Sequence, residues 1–176
     1  NFYWQYFQEP GVAEAEFERD VAATMRTVLA GRGFSDPTAH QFVHEGGFLA
    51  CADPNRPLPA WLTEADLAYF TAVYQESGFR GGLNWYRNFD RNWELLAPWA
   101  DAKVTVPALF VGGLRDGVVT GPGGEGEGPM VQMLPTFCTD LRGKVLIEGA
   151  GHWNQQEAPA ATNQALLGFL AGLSRA

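Results

Sequence analysis

Apolar residues recur at helical spacing within the first hundred residues of the chain. Four segments are predicted to be helices, and in the first and third of them the apolar residues recur at helical spacing, which predicts an apolar face. Thr63 is expected to cap the third helix, and Ser77-Gly78 to end it. The predicted helices are Val12–Leu29, Ala39–Leu49, Glu64–Glu76 and Leu83–Leu96.

The last of these segments is rich in large apolar residues, and we predict that they lie within one helix, so that the chain is helical up to about Pro98. They are Trp85, Tyr86, Phe89, Trp93 and Leu96.

After Pro98 the pattern changes, and apolar runs of strand length alternate with helical segments. Such alternation predicts an α/β fold with a parallel sheet and crossover helices. Two strands cannot form a sheet that is buried on both faces, so we expect most of the sheet to be missing from this chain. The predicted elements are strands Val104–Gly112 and Lys144–Ile147 and helices Met130–Leu134 and Pro159–Leu173.

Composition narrows the classes of function. The 176 residues are 46% hydrophobic, which is enough for an ordinary folded domain. A net charge of −8 without a basic stripe argues against nucleic acid or an anionic membrane as a partner. Cys51 and Cys138 have no metal or redox spacing, and neither a membrane span nor a signal peptide stands out, so we expect a cytoplasmic protein.

The candidate chemistry lies after the two predicted strands. Asp116 follows the first, and His152 follows the second in the segment Gly149-Ala150-Gly151-His152-Trp153. An acid followed by a histidine is the order found in α/β-hydrolases, where the carboxylate holds the imidazole in the tautomer that activates water. We find no nucleophile on a strand-to-helix elbow; Asp53 comes closest and lies in a predicted loop.

A resemblance to a known protein family rests on three sequence motifs. They are Tyr6-Phe7-Gln8-Glu9-Pro10-Gly11-Val12-Ala13-Glu14, Ser77-Gly78-Phe79-Arg80-Gly81-Gly82-Leu83-Asn84-Trp85-Tyr86-Arg87-Asn88 and Gly151-His152-Trp153. In this order they resemble the soluble epoxide hydrolases of the α/β-hydrolase fold. The resemblance implies a helical cap over residues 1–98 and the C-terminal part of the core over 99–176. It also implies that the nucleophilic aspartate and the oxyanion hole precede the cap and are absent here.

The resemblance assigns roles to individual residues. Tyr3 and Tyr86 correspond to the two cap tyrosines that hold the epoxide oxygen, Asp116 to the relay acid and His152 to the base that activates water. The implied reaction converts an epoxide to a vicinal diol through an alkyl ester on aspartate. It needs no cofactor or metal, and the expected partners are the epoxide and water. Phe7 and Trp153 are expected to favour a lipophilic substrate.

Each candidate also has an ordinary structural interpretation. His152 could cap the last helix, Asp116 could form an Asx turn or pair with Arg115, and Tyr86 could belong to the core. Three weaker signals are not expected to form a site. His40 and His44 are spaced like a pair of metal ligands, and Gly121–Gly126 formally matches a phosphate-binding glycine motif, but we reject both interpretations. Arg87 is expected to be a surface charge.

Two other functions stay open at this point. A haloalkane or haloacid dehalogenase with a cap would share the acid and histidine but would not need paired tyrosines. Alternatively, the chain is a non-catalytic truncated fragment, and we expect negligible turnover from the 176 residues alone. An unpaired sheet edge is also expected to favour association, such as a homodimer.

Overall fold

A computed structural model describes residues 2–30, 46–51, 57–121, 124 and 126–173. The described residues up to Ala100 form one compact unit, and those from Asp101 onward form a second. Their interpretation as a cap and part of a core stays a prediction. No helix of the described residues is long and apolar enough to cross a membrane.

The first unit is helical, as its spacing predicts. Short 3₁₀ turns lie at Leu49–Cys51 and Ala97–Trp99. Six α-helices are described: α1 (Tyr3–Tyr6), α2 (Val12–Phe17), α3 (Val21–Ala30), α4 (Glu64–Ser77), α5 (Arg80–Arg87) and α6 (Phe89–Leu96).

The predicted single helix over Val12–Leu29 is wrong, because the chain breaks between α2 and α3. The Asp20 carboxylate accepts a hydrogen bond from the backbone N–H of Ala23 at 2.9 Å, and the Thr24 hydroxyl donates to the carbonyl of Phe17 at 2.8 Å. These local bonds begin a new helix, which competes with continuing the first one. Most of the predicted helix Ala39–Leu49 lies outside the described residues.

Helix α4 begins at the predicted cap. The Thr63 hydroxyl accepts from the Asp66 backbone N–H at 3.1 Å, while the Asp66 carboxylate accepts from the Thr63 N–H at 3.0 Å. This reciprocal pair is a capping box. Gly78, with φ at 66°, ends the helix in a conformation that glycine adopts without strain. The prediction of the cap and of the helix end is confirmed.

The predicted helix Leu83–Leu96 is wrong as one element, because the segment forms two helices. Helices α5 and α6 meet at Asn88, whose side-chain amide donates to the Asn84 carbonyl at 2.8 Å. The α6 helix buries none of its residues. Trp85 is 78% exposed and Trp93 82% exposed, because the core of this unit forms around other aromatic rings.

That core is an aromatic cluster in which adjacent rings lie 5.0–6.2 Å apart and mostly edge to face. It combines rings from α1, α2, α5 and the loops. Its members are Tyr3, Phe7, Phe17, Phe48, Phe79 and Tyr86.

The second unit contains strands β1 (Ala108–Gly113) and β2 (Leu141–Ile147), which pair in parallel with Gly113 opposite Ile147. Helices of this unit are α7 (Gly117–Thr120), α8 (Pro129–Phe137), α9 (Asn154–Glu157) and α10 (Pro159–Gly172). The predicted parallel pair and the α/β class are confirmed. Strand β1 begins four residues later than predicted, after Pro107, which has no N–H to donate.

Candidate active site

The loops that follow β1 and β2 carry Asp116 and His152 and bring them into contact. The Nδ1 atom of His152 lies 2.9 Å from Oδ2 of Asp116. Parallel strands end at the same edge of a sheet, so residues that follow neighbouring strands come together there. The Asp116 side chain is buried at 8% exposure, whereas the His152 side chain keeps 32% of its surface. A buried carboxylate thus faces one ring nitrogen of a partly exposed imidazole.

Two backbone features hold the loops together. The N–H of Arg115 donates to the carbonyl of Ala150 at 2.8 Å. A Cβ placed on Gly113 would overlap the carbonyl oxygens of Ala150 and Gly151, so the close approach of the two loops requires glycine there.

Asp116 makes an Asx turn and contacts His152 at the same time. Its Oδ1 accepts from the backbone N–H of Val118 at 2.9 Å and caps α7, while its Oδ2 is directed to His152. Both carboxylate oxygens are therefore fixed. The Asx-turn geometry orients the carboxylate, which leaves the second oxygen available for the imidazole.

Tyr3 and Tyr86 lie against each other in the first unit. Their ring centroids are 5.7 Å apart at an angle of 75°, and both rings contact Phe7. Burial is the main cause that raises both phenol pKa values, that of Tyr86 to about 12. Both side chains therefore remain protonated near neutral pH and can donate hydrogen bonds.

The buried ion pair between Arg87 and Glu14 was not predicted from the sequence. Arg87 is not a surface charge: its side chain and that of Glu14 are each 12% exposed, and the guanidinium contacts both carboxylate oxygens, at 2.6 and 2.8 Å. The hydrogen bonds from Arg87 are the main cause that lowers the Glu14 pKa to about 2. In the predicted helix, Glu14 has the spacing of the other acidic residues on the polar side, so the sequence pattern does not indicate that its carboxylate is buried.

The same guanidinium joins the segment after Tyr3 to the helix of Tyr86. Its Nε donates to the carbonyl of Phe7 at 2.9 Å. The Gln8 amide adds a second link, because it donates to the carbonyls of Trp4 at 2.8 Å and Tyr86 at 3.1 Å.

The two residues proposed to line a lipophilic pocket have different surroundings. Phe7 is 5% exposed and supports the tyrosine pair from inside the aromatic cluster. Trp153 is partly exposed and packs edge to face on the His152 ring at 5.0 Å.

Other candidates give no site in the part of the chain that the structure describes. No group of three potential metal ligands occurs among those residues. His40, His44 and Asp53 lie outside them, as does part of the Gly121–Gly126 segment.

Comparisons with known proteins give a consistent result, although no family model matches the chain. The chain is 42% identical to epoxide hydrolase A of Mycobacterium tuberculosis and 40% identical to epoxide hydrolase 2 of Siraitia grosvenorii, over 98% and 97% of its length. Each match covers 52% of the relative.

Solved structures give the same result. The crystal structure of epoxide hydrolase A from Mycobacterium thermoresistibile has 42% identity and a TM-score of 0.86, over 99% of this chain and 53% of the other. An epoxide hydrolase from an endophytic Streptomyces has 43% identity and a TM-score of 0.84. The chain spans about half the length of these relatives.

Proposed function

We propose that this chain, which belongs to the epoxide hydrolase family with the α/β-hydrolase fold, takes part in the hydrolysis of a lipophilic epoxide to a vicinal diol. The observation that carries the choice of substrate is the contact between two protonated tyrosines, the buried Tyr3 and the half-buried Tyr86. Two phenol donors suit one oxygen atom on which negative charge develops.

In the first step a carboxylate attacks one carbon of the epoxide ring. The C–O bond breaks, its electrons move to oxygen, and a phenol proton from Tyr3 or Tyr86 neutralises that oxygen. The raised pKa of the phenols supports this role, because it keeps the proton on the tyrosines until the alkoxide forms. The product of the step is an alkyl ester. The family resemblance assigns the attacking carboxylate to an aspartate that precedes the matched segment.

In the second step His152 removes a proton from water, and the resulting hydroxide attacks the ester carbonyl. The diol leaves and the carboxylate is restored. His152 then releases its proton to solvent, and the tyrosinate takes up a proton from solvent. The contact between Nδ1 and Asp116 supports this role, because it directs Nε2 toward the base function and stabilises the imidazolium that forms. Every step uses carboxylate, phenol and imidazole chemistry.

The first test is to read the coding sequence before Asn1 for a strand, a small-x-Asp-x-small elbow and an earlier His-Gly motif. The polypeptide extended by that segment is then assayed with styrene oxide. Diol formation that is lost in Tyr86→Phe combined with Tyr3→Phe, and in His152→Gln, is expected. The His152→Gln variant is further expected to accumulate the ester, which mass spectrometry detects.

The main alternatives give different results. A dehalogenase that shares Asp116 and His152 would release halide from a chloroalkane and would keep that activity when both tyrosines are replaced. Robust diol formation by the 176 residues alone would contradict the expectation that they need a nucleophile from elsewhere.

A further inference from the structure

The carboxylate of Glu157 binds the backbone on both sides of His152. Its Oε2 accepts from the N–H of Gly151 at 2.8 Å, and its Oε1 accepts from the N–H of Trp153 at 3.0 Å. Glu157 is the last residue of α9, five positions after the histidine. One side chain thus binds the backbone N–H groups of the two residues that precede and follow the catalytic candidate.

The loop needs such an anchor. It leaves β2 through Gly149, whose φ is 76°, and it contains a second glycine at position 151, so its backbone has more accessible conformations than most. On the N-terminal side of His152 the carbonyl of Ala150 is held by the Arg115 N–H. On the C-terminal side the Trp153 N–H donates to the Glu157 carboxylate, and the Trp153 carbonyl accepts from the backbone N–H groups of Gln156 and Glu157, each at 2.8 Å.

We infer that Glu157 is a positioning residue, which holds His152 so that Nδ1 meets Asp116. The inference rests on the proposed role of His152 as a base. A carboxylate suits this task because it has two acceptor oxygens and no donor, so it can take both N–H groups at once. Glutamine has one acceptor oxygen, and its amide nitrogen repels the second N–H.

The chain offers a matched control. Glu148 belongs to the same loop, four residues before His152, and it is exposed. Glu157→Gln and Glu148→Gln remove the same charge at similar distances along the chain, but the first also removes an acceptor for the loop backbone.

The test uses the full chain labelled with ¹⁵N histidine, with His152→Gln to identify the His152 signals among three histidines. In the unaltered chain and in Glu148→Gln we expect a protonated Nδ1 with a low-field N–H proton resonance. In Glu157→Gln we expect this resonance to be lost or broadened and the ring to populate both tautomers. In the uniformly ¹⁵N-labelled chain, amide exchange at Gly151 and Trp153 is expected to accelerate about tenfold in Glu157→Gln and to change little in Glu148→Gln.

An unchanged Nδ1 signal in a folded Glu157→Gln chain would overturn the inference. If that variant does not fold, amide exchange in the unaltered chain decides, because unprotected amides at Gly151 and Trp153 would equally overturn it. These readouts do not depend on turnover. Loss of the signal in Glu157→Gln together with an extended enzyme that leaves epoxides intact would support the positioning role and refute the proposed function.

Discussion

Replacing Arg87 by methionine removes the guanidinium that holds Glu14 in the first unit. Methionine keeps much of the apolar stem, so the change tests the charge and the hydrogen bonds more than the packing. After the substitution, the Glu14 carboxylate retains the N–H of Gly11 at 2.9 Å and loses both contacts to Arg87. The carbonyls of Phe7 and Glu9 also lose a donor.

The structure sets the size of the effect. The pKa of Glu14 is about 2 instead of 4.5, and at about 1.4 kcal/mol for each pKa unit this corresponds to roughly 3 kcal/mol. Removing one partner of a buried pair costs on the order of 3–5 kcal/mol in general. Because the Gly11 N–H continues to stabilise the carboxylate, we expect Arg87→Met to lower the free energy of unfolding by about 2–3 kcal/mol at pH 7.

Urea denaturation followed by tryptophan fluorescence measures this loss. Five of the six tryptophans lie at or before residue 99, so the signal reports mainly on the first unit. Arg91→Met is the matched control: Arg91 and Glu94 are 3.0 Å apart but 62% and 66% exposed. We expect this control to change stability by less than about 0.5 kcal/mol.

The effect has a defined pH dependence. The folded-state pKa of Glu14 is depressed, so the pair contributes fully above pH 4.5 and its contribution is lost as the pH falls toward about 2. The difference between Arg87→Met and the unaltered chain should therefore shrink between pH 6 and pH 3. A difference below about 1 kcal/mol at pH 7, or one that does not change with pH, would refute the reasoning.

Three other predictions concern the candidate site. Gly113→Ala introduces a Cβ that overlaps backbone oxygens of the neighbouring loop, so thermal unfolding is expected to show a loss of about 2–3 kcal/mol; an unchanged melting temperature would contradict the close approach. Asp116→Asn keeps an oxygen to cap α7 but places an amide against His152, and ¹⁵N spectra should show the ring changing to the tautomer protonated on Nε2; an unchanged tautomer would contradict the assigned contact. The pKa of Tyr86 is raised to about 12, so the stability that it contributes is complete below pH 10 and is lost as the pH rises toward 12. Tyr86→Phe should remove that part of the alkaline destabilisation and part of the tyrosinate absorbance that appears near pH 12.

Local signals in the sequence determined the elements that depend on local bonds. The Thr63 cap, the end of α4 at Gly78 and the parallel strands followed by Asp116 and His152 could all be predicted, because turn chemistry and strand alternation act over a few residues. The order of acid and histidine after neighbouring strands was enough to place them at one sheet edge.

Tertiary structure decided what depends on distant partners. Trp93 of α6 is exposed although it lies in a helix rich in large apolar residues, because whether a side chain is covered depends on which other segments pack against it. Periodicity also gave no sign that Glu14 would be buried against Arg87, 73 residues away, or that Glu157 would bind both sides of the histidine loop. A charged side chain has the same pattern in the sequence whether it points to water or to a partner, and only the folded chain determines which of the two it contacts.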